Sequence, residues 1–244
     1  MTHLPYTLTE ERPPQLGMVV LQSDETLEAD LRRLLPDRAE LLVTRIPSSD
    51  TVSCDSLGEM ARDLTEAASL LPRGAKLAVV GFGCTSGTAQ IGGGRIAQLT
   101  RAGVETQAVT DPVSALIAAC RQLGLSRLAL VSPYVEEVSA RLMDVLAEAG
   151  IEMAAFASFN EANEARVVRI APGAIVDAAR ATAAQAPCDA VFLSCTNMRT
   201  LDVIAPIEAE LGLPVLSSNL VLAWHMAHLA GLEAAGIDAA LLRA

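Results

Sequence analysis

Two cysteines hold the reactive chemistry of this chain. Each follows an apolar run and precedes small polar residues: Ala78–Gly83 leads into Cys84-Thr85-Ser86-Gly87, and Ala190–Leu193 leads into Ser194-Cys195-Thr196-Asn197. Such runs read as strands of a parallel sheet, and functional sites gather at the carboxyl edge of that kind of sheet. A free thiol, with a pKa of about 8.5, is poorly ionised at neutral pH. Backbone amides at the start of a following helix stabilise its thiolate, a substrate carboxylate and the negative charge that grows during reaction. Thr85, Ser86, Thr196 and Asn197 add short donors, and glycines around the first thiol let backbone approach closely.

Two opposed thiols can run either of two reactions. One thiolate can take a proton from carbon while the other thiol returns one, which is racemisation. Alternatively, a thiolate adds to an activated double bond, the bond turns as a single bond, and elimination restores the alkene. Neither scheme needs a metal or a cofactor, so none is expected.

The other candidates read as structural. Cys120 belongs to an alanine-rich helix, Cys188 follows Pro187, and Cys54 sits in a Ser53-Cys54-Asp55-Ser56 helix start. The five cysteines contain no CxxC pair, and their odd number without a secretory leader leads us to expect reduced thiols and a cytoplasmic protein. His225 and His228 are three apart on a helix but have no evident third ligand. Gly92-Gly93-Gly94 is not a nucleotide fingerprint and permits a bend or close helix packing.

Composition narrows the partners. The formal charge is −11 and aromatics make up 3% of 244 residues. That balance argues against nucleic acid, which needs a positive field, but a pocket of backbone N–H groups still accepts a small carboxylate. No apolar run has the length a bilayer span requires. A small carboxylate-bearing substrate is the expected partner.

Strand-like runs must position the thiols. They fall at 16–21, 40–46, 76–82 and 105–109, and again at 127–131, 151–157, 190–193 and 214–217. Helical stretches lie between them at 56–70, 91–101, 135–149, 173–184 and 201–211, with a crossing helix from Pro112 to about Leu123 and a last helix over 220–231. The pattern predicts an α/β protein of two similar lobes, with a first lobe of 15–118 plus 222–244, a second of 119–221, and a loose arm over 1–14.

The chain resembles the maleate isomerase and arylmalonate decarboxylase branch of the aspartate/glutamate racemase superfamily. The resemblance rests on Leu21-Gln22-Ser23-Asp24-Glu25-Thr26-Leu27-Glu28, Gly83-Cys84-Thr85-Ser86-Gly87, Ser132-Pro133-Tyr134, Ser194-Cys195-Thr196-Asn197, and Ser217-Ser218-Asn219 before Trp224-His225. It implies two Rossmann-like lobes with parallel four-stranded sheets related by a pseudo-two-fold, an active site in the cleft, and an oligomer, most simply a homodimer. By resemblance, Cys84 is the first-lobe nucleophile and Cys195 the second-lobe acid–base thiol. Tyr134, Asn163 and Asn219 join the substrate-binding set. Asp24 stands where maleate isomerases typically have asparagine. An ionised Asp24 would repel a carboxylate, which turns the expectation toward an amino-acid-derived or amide-bearing substrate. The acidic motif looks more like ectoine-utilisation relatives. Racemisation or isomerisation is the leading expectation, with maleate cis–trans isomerisation, decarboxylation of a malonate-like acid and a non-enzymatic ligand sensor as alternatives.

Overall fold

The computed structural model describes residues 3–9 and 11–244. The described part of the arm has no regular secondary structure and is largely exposed, and it joins the body where Arg12 pairs with Glu40. Eight strands follow: β1 (Gln15–Leu21), β2 (Glu40–Ile46), β3 (Leu77–Gly83), β4 (Thr106–Thr110), β5 (Arg127–Ser132), β6 (Glu152–Ser158), β7 (Ala190–Leu193) and β8 (Val215–Ser217). They form two four-stranded sheets, ordered β2-β1-β3-β4 and β6-β5-β7-β8. Every pairing is parallel. Helices cover both faces, so central strands such as β1 and β7 are buried along their whole length and read as continuous apolar runs.

The strand order reverses between β1 and β3 in the first sheet and between β5 and β7 in the second. The crevice at such a reversal, beyond the carboxyl ends of the strands, is where open α/β sheets bind ligands. Asp24 follows β1, Cys84 follows β3, Tyr134 follows β5 and Cys195 follows β7.

The helices are α1 (Leu27–Leu34), α2 (Cys54–Glu59), α3 (Leu64–Ser69), α4 (Thr85–Ile91), α5 (Gly93–Gly103), α6 (Pro112–Leu123), α7 (Glu136–Glu148), α8 (Glu164–Val167), α9 (Pro172–Ala183), α10 (Leu201–Leu211), α11 (Ser218–Leu229) and α12 (Ala240–Arg243). Two expected helices are each divided. The stretch 56–70 starts earlier, at a capping box between Ser53 and Ser56, and passes through a short 3-10 turn at Met60–Arg62. Leu57, Met60, Leu64, Ala67 and Ala68 are all buried, so the apolar face runs on through the break. The stretch 91–101 is split by Gly92, whose φ of 90° ends α4 and opens α5. Only glycine takes that conformation without strain.

Helix α6 carries the chain from the first sheet to the second, and α11 returns to pack on α6, α1 and β3. Asp111 caps α6 by accepting from the Val113 and Ser114 amides, with Pro112 at the first helical position. Among the described residues, no helix is long and apolar enough to cross a membrane.

Candidate active site

The four strand-end loops converge. Leu21, Asp24, Cys84, Thr85, Ser86, Tyr134, Glu164, Cys195, Thr196 and Asn197 line one small cavity of about 10 Å³ between the lobes. That is room for no more than about one water molecule, so the cavity is closed here and must open to admit even a small acid. Hydrogen bonds tie the lobes together around it. The Thr26 hydroxyl donates to the Asn197 carbonyl at 2.9 Å, the Thr196 hydroxyl donates to the Gly83 carbonyl at 3.2 Å, and the Thr85 and Ser218 hydroxyls meet at 2.7 Å.

Cys84 is the N-cap of α4 in ordinary extended conformation, and its Sγ accepts from the Gly87 amide at 3.1 Å. A side chain at position 87 would place its Cβ 2.9 Å from that sulfur, so the glycine is what brings the amide close. The amide favours thiolate, but burial outweighs it and pushes the Cys84 thiol up to about 12.

Cys195 is held differently. Its φ is 127°, a region that favours glycine and strains other residues by about 1–3 kcal/mol. The Cys195 amide donates to the Ser218 hydroxyl at 2.9 Å. Its Sγ lies 3.0 Å from the Tyr134 hydroxyl and accepts from the Asn197 amide at 3.3 Å. Burial, then the nearby Glu164 carboxyl, hold this thiol well above its ordinary range. In this closed arrangement both thiols are therefore protonated.

Glu164 opens α8, and its side chain is almost fully buried. Tyr134 donates to its Oε1 at 2.6 Å and the Asn197 side chain donates to its Oε2 at 2.7 Å. Sequence reasoning placed Asn163 here instead. Asn163 precedes the helix and does not line the cavity, whereas Glu164 does. The two are adjacent in an irregular segment, so strand and helix periodicity could not select between them.

Asp24 sits in a more enclosed setting than the expectation above assumed. Its Oδ1 accepts from the Thr26 and Leu27 amides, each at 2.8 Å, while its buried Oδ2 has no partner among the described residues. Burial raises its pKa. A neutral Asp24 keeps Oδ1 as acceptor and offers an O–H from Oδ2, which matches the hydrogen-bonding pattern of asparagine. The repulsion argument against a carboxylate substrate loses its premise once this group is protonated.

The remaining expected residues divide by task. Thr85, Ser86 and Thr196 line the cavity. Asn197 also lines it, but its Oδ1 accepts from the Glu25 amide at 2.9 Å and its Nδ2 donates to Glu164, so its polar ends are already engaged. Asn219 does not line it. Its Nδ2 donates to Asp30 at 2.7 Å and to the Thr196 carbonyl at 2.8 Å, holding the second cysteine loop from behind. Tyr134 has one proton, directed at Glu164, and none left for a substrate carboxylate in this arrangement.

Comparison with known proteins agrees with this geometry. The family described as Amdase, arylmalonate decarboxylase, matches residues 51–241. An arylmalonate decarboxylase from Bordetella bronchiseptica is 31% identical over 226 residues, covering 89% of this chain and 91% of its own. A maleate isomerase from Geobacillus stearothermophilus is 26% identical, covering 84% of this chain and 86% of its own. The crystal structure of the maleate isomerase Iso from Pseudomonas putida S16, in a variant with maleate, superposes with a TM-score of 0.84 at 22% identity, over 95% of this chain and 98% of its own. That last likeness is one of fold. The chain is an enzyme of the arylmalonate decarboxylase family, within the maleate isomerase and arylmalonate decarboxylase branch of the aspartate/glutamate racemase superfamily.

Proposed function

We propose that this enzyme is a cofactor-independent cis–trans isomerase of a small unsaturated carboxylic acid of the maleate type. One observation carries the reading: the thiols of Cys84 and Cys195, from the two sheets, line the same small cavity. Similarity to a maleate isomerase over 84% of the chain supports it. Cys84 is the nucleophile. Its sulfur forms a bond to one alkene carbon as its S–H bond breaks, the electron pair moves to the carbon beside the far carboxylate, and the proton released by Cys84 replaces the one Cys195 gives up, so that S–H adds across the double bond overall. Cys195 gives that carbon a proton, the former double bond turns, and the reverse steps expel Cys84 and restore the alkene. Asp24 in its neutral form, Thr85 and Ser86 hold the carboxylates.

A second reading is favoured by the family match and the 31% identical decarboxylase. In it, a malonate-like acid loses CO₂ and Cys195 alone protonates the resulting carbanion. The racemase expectation uses the same two thiols but gains no relative from the comparisons above. The ectoine link rests on the acidic motif after β1 alone, and burial of Asp24 weakens the electrostatic reason for it. We also propose a homodimer, on the family resemblance, which light scattering in solution checks.

Proton NMR of the enzyme in deuterated water with maleate, and separately with phenylmalonate, tests these readings. Fumarate formation supports the isomerase. CO₂ release from the malonate, with deuterium at the α-carbon, supports the decarboxylase. Turnover of neither acid would reject both.

A further inference from the structure

We propose that Glu164 is the proton-holding partner of Cys195, exchanging one proton with its sulfur through the Tyr134 hydroxyl. The proposal rests on Cys195 being the thiol that trades protons with substrate carbon, and it adds a residue absent from the reading of the sequence.

The hydrogen-bond count sets the direction of the chain. Tyr134 has one proton and two neighbours, Glu164 Oε1 at 2.6 Å and Cys195 Sγ at 3.0 Å. A carboxylate is the stronger acceptor, so Tyr134 donates to Glu164 and the Cys195 thiol donates to the Tyr134 oxygen. Both carboxyl oxygens of Glu164 accept hydrogen bonds, Oε2 from the Asn197 side chain, which is the arrangement of an ionised group. The line therefore reads S–H to O–H to carboxylate. One concerted shift breaks the S–H bond, gives that proton to the Tyr134 oxygen, and passes the Tyr134 proton to Glu164. The negative charge moves from carboxylate to sulfur and the cavity's net charge stays the same. The new thiolate still faces the Tyr134 O–H and the Asn197 amide.

This matters because burial makes an added charge costly here. Moving an existing charge avoids that cost, so a thiol held well above its ordinary range remains usable. Burial also raises the Glu164 pKa, which makes it a better proton acceptor near neutrality. Cys84 has no comparable line: among the described residues its Sγ has the Gly87 amide and no acidic side chain bonded to it. The other titratable groups facing this part of the cavity are Asp24 and Cys84, with Arg45 bonded to the Leu21 and Asp24 carbonyls at the edge of the Asp24 loop.

The test is the pH profile of Cys195 alkylation by iodoacetamide, read by peptide mass mapping with Cys84 as internal reference. When thiol and carboxylate share a proton, the thiolate fraction is nearly independent of pH between their titrations. The wild-type rate should therefore be almost level from pH 7 to 9. In Glu164→Gln, which keeps the shape but cannot take the proton, it should rise about tenfold per pH unit, as for an isolated thiol. Tyr134→Phe, which keeps the ring, should show the same rise, and it serves as the second variant if Glu164→Gln does not fold. A wild-type profile that rises tenfold per unit, or a level profile retained in Tyr134→Phe, overturns the relay. Failure of the functional reading is separate: it is Cys195→Ser retaining full turnover, whatever the alkylation profiles show.

Discussion

The two cysteine loops share a Cys-Thr pair at equivalent strand ends and are unlike in structure. Gly83-Cys84-Thr85-Ser86 runs straight from β3 into α4, and Cys84 takes ordinary extended backbone as the cap of that helix. Ser194-Cys195-Thr196-Asn197 runs from β7 into irregular chain that reaches α10 only at Leu201, and Cys195 is held at positive φ. The first thiol faces a backbone amide. The second faces a phenol bonded to a buried carboxylate. Similar motifs at equivalent strand ends have thus been given different surroundings, which suits a nucleophile on one side and a proton exchanger on the other. The difference teaches that residue type placed both thiols, while the loops around them divided the work.

Removing the thiols one at a time gives the largest effect. Cys84→Ser and Cys195→Ser should each lower kcat for isomerisation by at least about 10³-fold, measured by NMR on maleate. If the decarboxylase reading holds, only Cys195→Ser should abolish CO₂ release and Cys84→Ser should leave most of it. Equal, small losses in both variants would erase the distinction between the loops.

A second effect comes from Asp24, which faces both thiols. Its pKa is raised by burial, so it is neutral at low pH and gains charge as pH rises through that raised value. The KM for a carboxylate substrate should then climb by up to about tenfold per pH unit, and Asp24→Asn should flatten the climb. A slope unchanged in Asp24→Asn would assign it to another group. Stability follows the same sign. The group's contribution is full below the unfolded value near 3.8 and is lost as pH rises through the folded value, so denaturation of Asp24→Asn should show less loss of stability toward neutral pH than the wild type.

Backbone strain distinguishes the loops by a smaller amount. At position 195 glycine relieves the positive φ that alanine retains, so Cys195→Gly should be more stable than Cys195→Ala by about 1 kcal/mol. At position 84, with φ of −151°, the order should reverse by a similar amount. Urea denaturation of the four variants measures both differences, and the same order at both positions would remove backbone strain from the account.

Much of this was legible in the sequence because a parallel sheet covered on both faces writes its strands as unbroken apolar runs. The runs ending at Gly83 and Leu193 placed the cysteines, and the eight strands lie within a residue or so of where those runs fall. Glu164 was not legible, because it starts a four-residue helix after an irregular segment and owes its burial to Tyr134 and Asn197, distant in sequence. The state of Asp24 was hidden for a related reason. A carboxylate's charge depends on burial, and the packing that encloses Asp24 comes from both lobes. Helix α1 was given no bounds in the sequence, because its apolar face, Leu27, Leu31 and Leu34, is short and sits among charged residues.

The most direct test is mass mapping of Cys195→Ser after incubation with maleate. With the proton exchanger removed and the nucleophile retained, the account predicts one added acid, attached at Cys84, and no such adduct in Cys84→Ser. An unmodified Cys84, or addition confined to Cys54, Cys120 or Cys188, would contradict a shared site in which the two thiols act on the same molecule.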